Sequence, residues 1–125
     1  MSQLLPIDVR THEDITVVNF DGSAILDARA IERISGELFK LVEEQNRRKI
    51  VLDLSEVRFL SSSAMGMVLN LRTKALKDDG KLVICGLRAE LLKLFRITRT
   101  DKLFEFFDSE EKALKAFGDQ ATGSS

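Results

Sequence analysis

Apolar positions along this chain fall into two rhythms: short runs of strand length, and longer stretches in which they return every three or four residues. The first two runs, roughly Ile7 to Thr11 and Ile15 to Phe20, flank the polar His12, Glu13 and Asp14. A connection of that length predicts an antiparallel hairpin. After Asp21 and Gly22 a short loop ends at Asp27, a good N-cap, and Ile31, Ile34, Leu38, Leu41 and Val42 then recur at helical spacing to about Gln45. Gly36 costs that helix roughly 1 kcal/mol relative to alanine, too little to cancel its apolar stripe. Arg47, Arg48 and Lys49 favour the negative end of the helix dipole, and Ile50 to Leu54 follow as an almost unbroken apolar run, the pattern of a strand covered on both faces.

The second half repeats the alternation. Ala64, Val68, Leu71 and Ala75 form the buried stripe of a helix that starts after three serines, with Arg72, Lys74, Lys77 and Asp78 on its wet side and Asp79 and Gly80 at its end, glycine suiting the left-handed position there. Lys81 to Cys85 reads as another buried strand, Ala89 to Ile97 as a shorter helix carrying Leu91, Leu92 and Phe95, and Phe104 to Phe107 as a last strand. Asp108 and Glu111 have the spacing of a capping box for a final helix with Ala113, Leu114 and Phe117, closed by Gly118. The expected fold is therefore α/β: an N-terminal hairpin followed by alternating strands and helices, giving a mostly parallel mixed sheet with helices packed against it. Residues 1–118 form a single expected domain, with 119–125 as a polar, flexible tail.

Composition narrows the function classes. With 125 residues, 44% hydrophobic and 31% charged, the chain is long enough to build one core without metals or disulfides. A formal net charge of −1 supplies no global field for nucleic acid or an anionic membrane, so neither is an expected partner. Met1 to Pro6 show no secretion signal, Ser2 excludes N-myristoylation and no run spans a bilayer, so the expected location is the cytoplasm. Cys85 stands alone inside an apolar run and reads as a small buried hydrophobe. One histidine and one embedded cysteine give no recognisable metal ligand set, and no phosphate-cradling glycine loop follows any strand, so no cofactor is expected.

The informative segment runs from Asp53 through Ser61, Ser62 and Ser63 to Gly66, from the end of a buried strand into the start of a helix. Strand ends are where sites form in parallel sheets, and the first helical turn offers unpaired N–H groups and the positive end of a dipole. With Ser61 as N-cap, its oxygen accepts from the amide of Ser63 or Ala64, Leu60 packs on Met65, and Ser62 faces outward from the first helical position. Small side chains from Ser61 to Ala64, and none on Gly66, leave a flat approach for another macromolecule. From the residues alone, a plain serine-capped helix start and a phosphate-switched interface both remain open.

At this stretch the chain resembles the sulfate transporter and anti-sigma factor antagonist (STAS) domain family, in particular its free-standing bacterial anti-sigma factor antagonists. The likeness extends over Phe20 to Asp27, the strand Ile50 to Leu54 with Val57, Phe59 and the serines, Lys81 to Leu87, and Leu103 to Phe107 with Asp108, Ser109 and Glu110. The resemblance implies that Ser62 is phosphorylated, with Ser61 or Ser63 as fallback acceptors, and that Asp27, Ser61, Ser63, Met65 and Gly66 contribute to partner binding. It implies an anti-sigma factor with an ATP-binding serine kinase fold as partner, bound when Ser62 is unmodified, a metal-dependent serine phosphatase that resets the switch, and no catalysis by the domain itself. Ser61 stands where the family usually has aspartate, and Ala64 where it usually has glycine. The competing readings are an unphosphorylated, constitutive interaction module on the same face and a small-anion sensor at the helix N-terminus. A serine hydrolase is disfavoured, because the serines lack a nucleophile-elbow pattern and His12, the only available base, lies in the hairpin turn.

Overall fold

The computed structural model describes residues 7–20, 28–77 and 79–122. Strands β1 (Ile7–His12) and β2 (Ile15–Phe20) form the hairpin, followed by α1 (Ala28–Glu43), β3 (Lys49–Asp53), α2 (Ser62–Leu76), β4 (Lys81–Cys85), α3 (Ala89–Ile97), β5 (Glu105–Phe107) and α4 (Glu110–Thr122). The five strands lie in the order β1-β2-β3-β4-β5, antiparallel between β1 and β2 and parallel thereafter. This is the mixed sheet expected from the alternation of elements.

Strand side chains alternate between two unequal layers. On one face Val18, Phe20, Ile50, Leu52, Leu82 and Ile84 pack against the apolar stripes of α1, α2 and α3. On the other, Ile15, Val17, Val51, Val83 and Cys85 meet Ala113 and Phe117 of α4. The central strand β3 is thereby covered on both sides, as its unbroken apolar run requires, and all four expected residues of the α2 stripe are buried.

Where sequence and structure differ, local geometry gives the reason. His12 belongs to β1 and pairs with Ile15, leaving a connection of Glu13 and Asp14, with Glu13 at φ +58° matching the twist of a tight hairpin. The left-handed residue after α2 is Asp79 (φ 60°), not Gly80. Gly80 is needed for space: a Cβ there would lie 2.3 Å from the Ala75 carbonyl oxygen and 2.6 Å from that of Arg48. Phe104 precedes β5, after a 3₁₀ turn over Asp101–Leu103. The oxygen that caps α4 belongs to Ser109, whose Oγ accepts from the Lys112 amide at 3.2 Å, while Asp108 pairs with the Lys112 ammonium at 3.1 Å. Gly118 lies within α4, which runs to Thr122; one glycine weakens a helix without ending it.

The Gly80 contacts make a testable case. Gly80→Ala drives a methyl into two backbone oxygens that cannot swing away, so it should destabilise the domain by about 3 kcal/mol, the upper end for forced overpacking. Calorimetry should show the thermal midpoint lowered by roughly 10 °C; an unchanged midpoint would contradict this packing.

Candidate functional site: the serine turn at the end of the third strand

Strand β3 leaves the sheet at Asp53, and two buried side chains hold the connection to α2. Leu54 donates its N–H to the Cys85 carbonyl at 3.0 Å, and the Val57 N–H closes a turn onto the Leu54 carbonyl at 3.0 Å. Val57 and Leu60 point into the core, so the residues between them, Arg58 and Phe59, face out. Phe59 is 60% exposed, which is high for an aromatic side chain flanked by core residues. The signal in the sequence is the pattern apolar, charged, aromatic, apolar from Val57 to Leu60, in which Phe59 reads as readily as core.

Ser61 is the N-cap of α2 (φ −79°, ψ 168°): its Oγ accepts from the Ala64 N–H at 3.1 Å and its carbonyl accepts from Met65 at 2.9 Å. That leaves Ser62 and Ser63 as the first two helical residues, both exposed, at the end of the helix where unpaired amides and the dipole favour negative charge. No acidic residue occupies this first turn. Met65 and Gly66 are half-buried, and a Cβ on Gly66 would meet nothing within 4 Å, so the fold itself has no packing need for glycine there. Ala64 is fully buried, so the methyl it adds points into the core and leaves the outer surface unchanged. The structure thus brings Ser61, Ser62, Ser63, Met65 and Gly66 together on one turn; Asp27 lies outside the described residues.

His12 sits at the other end of the sheet. It pairs with Ile15, which begins β2 opposite Lys49 at the start of β3, whereas the serines follow the end of β3. The hydroxyls and the only histidine in the chain are therefore separated by the length of a strand. Burial pushes the Cys85 thiol up to about 12, with Asp53 and Glu110 adding to the effect, so it is protonated and unreactive at neutral pH. Among the described residues no helix is long and apolar enough to cross a membrane, and no cluster of histidine, cysteine and carboxylate side chains could hold a metal ion.

Behind the serine connection lies a polar network that the sequence reading did not contain. Asp53 is only 8% exposed; its Oδ1 accepts from the Ser55 N–H at 2.9 Å and its Oδ2 from Asn19 Nδ2 at 2.9 Å. Asn19 also donates to Glu110 Oε2 at 3.1 Å, and Arg10 Nη2 donates to Asn19 Oδ1 at 2.6 Å and to Glu110 Oε1 at 2.7 Å. The hints were Asn19 between Val18 and Phe20 and the carboxylate ending an apolar strand, since polar residues there need partners. Burial alone would raise the Glu110 carboxyl, but the hydrogen bonds and positive charge of Arg10, with the Asn19 amide, outweigh it and hold the group below its ordinary value.

The mixed sheet, with three helices against one face and one against the other, is a fold shared with solved anti-sigma factor antagonists. The chain belongs to the STAS domain family, whose profile matches residues 6–113. It is 29% identical over 93 residues to a Bordetella bronchiseptica protein named as the anti-sigma factor antagonist BtrV, covering 74% of this chain and 79% of the relative. It is 22% identical to the anti-sigma F factor antagonist of Paenibacillus polymyxa, over 88% of this chain and 92% of that one. Among solved structures, a STAS domain protein from Planctomyces limnophilus superposes with a TM-score of 0.80 at 23% identity, covering 90% of this chain and 97% of the other. The phosphorylated form of the Bacillus cell fate determinant SpoIIAA superposes with a TM-score of 0.74 at 18% identity, covering 89% and 98%.

The lowered Glu110 carboxyl fixes the sign of a pH effect. A group lowered by folding adds stability that is complete above its unfolded value and is lost as pH falls through its folded one. The thermal midpoint should fall as pH drops below about 4.5, and Glu110→Gln should lose less over the same range. Parallel wild-type and variant curves in a calorimetric pH series would show that Glu110 adds nothing.

Proposed function

We propose that this protein is an anti-sigma factor antagonist of the cytoplasm, a binding module and not an enzyme, switched by phosphate on Ser62. The observation that carries the reading is the division of labour on the serine turn: Ser61 caps the helix, while Ser62 stands exposed on the first helical residue. Modification of Ser62 leaves the Ser61 cap in place and adds charge where a helix start tolerates it. Sequence relatives bear the same functional name, and SpoIIAA has been solved in both phosphorylated and unphosphorylated forms.

In the proposed cycle the unmodified turn docks on an anti-sigma factor with an ATP-binding serine kinase fold. Ser62 Oγ attacks the γ-phosphorus of ATP, an O–P bond forms as the bond to ADP breaks, and the hydroxyl proton passes to a base on the kinase. The phosphoserine then brings roughly −1.5 to −2 charges into the contact, and its desolvation and bulk oppose docking by a few kcal/mol, at least a hundredfold in affinity. A metal-dependent serine phosphatase returns the hydroxyl. Phe59 extends the docking face beyond Ser61, Ser63, Met65 and Gly66, because an exposed aromatic side chain beside the polar turn offers a partner apolar area; Asp27 is the remaining expected contact.

Mass spectrometry of the protein from its own host should find phosphate on Ser62, and its absence under every growth condition would favour a constitutive module. Ser62→Ala should keep partner binding on, and Ser62→Asp should weaken it; equal affinities by calorimetry would rule the switch out. Phe59→Ala should leave the thermal midpoint unchanged and weaken partner binding by about tenfold to a hundredfold, or 1.4 to 2.8 kcal/mol. Wild-type affinity in that variant would remove Phe59 from the interface.

A further inference from the structure

We propose that Asp53 is the positioning residue of the serine turn, and that α4 sets its geometry through Glu110. This rests on the reading of Ser62 as phosphoacceptor and adds what holds the acceptor in place.

The connection from β3 to α2 begins at Asp53. Its Oδ1 accepts the Ser55 N–H two residues on, which fixes the direction in which the chain leaves the sheet. Gly86, at φ 70°, closes over this point: a Cβ there would lie 2.7 Å from the Ser55 Cβ and 3.2 Å from Asp53 Oδ1. Gly86 is itself tied to β5, donating its N–H to the Phe107 carbonyl at 3.0 Å. The start of the serine connection is thus held between a carboxylate and a neighbouring backbone that has no room for a side chain.

A carboxylate can set direction only if its own rotamer is fixed. Asp53 Oδ2 is held by Asn19, and Asn19 is held in turn by Glu110, which comes from the first turn of α4 on the opposite face of the sheet from α2. Arg10 closes the ring on Asn19 and Glu110, from a strand a hundred positions earlier than Glu110. These bonds link β1, β2, β3 and α4 to the residue that launches the acceptor turn. Glu110 reaches the start of this connection through the Asn19 amide that holds Asp53 Oδ2, so its influence on Ser62 passes through Asp53. Displacement of a reacting group by about 1 Å can cost on the order of a hundredfold in rate, so modest loosening of this anchor becomes measurable in phosphoryl transfer.

Two measurements on the full chain test this. Hydrogen exchange without any kinase should show the Ser55 amide and its neighbours through Leu60 exchanging at least tenfold faster in Asp53→Ala and Glu110→Ala, with the amides inside β3 and β4 unchanged. Phosphorylation of Ser62 by the purified host anti-sigma kinase with ATP should then fall at least tenfold in kcat/KM for both variants, mostly in kcat. Asp53→Asn keeps one oxygen for the Ser55 N–H but turns an NH2 toward the Asn19 NH2, donor against donor, so it should fall between wild type and Asp53→Ala. Because Glu110 acts through Asp53, the double alanine variant should lose no more than Asp53→Ala alone. Unchanged exchange in both single variants, or additive losses in the double variant, would overturn the proposal. A wild-type protein that the kinase does not phosphorylate would sink the switch reading instead, and the exchange result would still decide whether Asp53 holds the turn.

Discussion

Everything in this domain is arranged around a strand with no free face. Residues of β3 are buried on one side by α1, α2 and α3 and on the other by α4, and β2 and β4 occupy its hydrogen-bonding edges. Burying side chains such as Ile50, Val51 and Leu52 contributes roughly 1.5–3 kcal/mol each, so the centre of the sheet is the most costly part of the molecule to disturb. A strand so enclosed can present chemistry only where it ends. The end of β3 is also where the chain must supply polar groups, because the first turn of α2 starts with amides that have no partner within the helix. Structural need and functional opportunity therefore fall on the same few residues.

The three serines meet that need unequally. Ser61 adopts extended backbone angles and caps the helix, Ser62 and Ser63 are already helical, and Ala64 is buried. A helix needs only one cap residue, so the hydroxyls that follow are surplus to folding and available for recognition. Hydroxyls placed beside unpaired amides are also where a phosphate is best accommodated, since the local field favours negative charge before any partner is considered. The fold does not have to change for the surface to change its charge.

Much of this architecture was legible because it is written in local patterns. Apolar runs gave β2, β3 and β4 to within a residue, helical spacing gave α1, α2 and α3, and small polar residues at the start of α2 placed the serine turn. What could not be read depends on positions distant in sequence. Gly80 looks like a helix terminator, yet its role comes from the Arg48 carbonyl of the preceding crossover, with Asp79 taking the left-handed angle. Ser109 displaces Asp108 as the cap of α4 because the chain turns one residue later than the motif spacing implied. Phe59 has the composition of a core residue, and only the inward turn of both Val57 and Leu60 leaves it outside. Most distant of all is the ring of Arg10, Asn19, Asp53 and Glu110, where four polar residues from four elements become partners only once the sheet is assembled.

The departures from the usual STAS turn have a physical reading in this setting. A side chain at position 64 points into the core, so alanine in place of glycine fills interior space and leaves the outer surface of the turn unchanged. A hydroxyl at position 61 accepts the Ala64 amide much as a carboxylate would, and the helix keeps its cap. The change that remains is one of charge. With serine at the cap and no acidic residue in the first turn, a phosphate on Ser62 would meet no neighbouring carboxylate on its own helix. Repulsion that an aspartate cap would impose on the modified state is therefore absent, and the phosphorylated form is less opposed by its own fold. Under the proposed switch, the work of excluding a bound partner would fall on the phosphate's desolvation, its bulk and the partner's own charges, rather than on any strain within this domain.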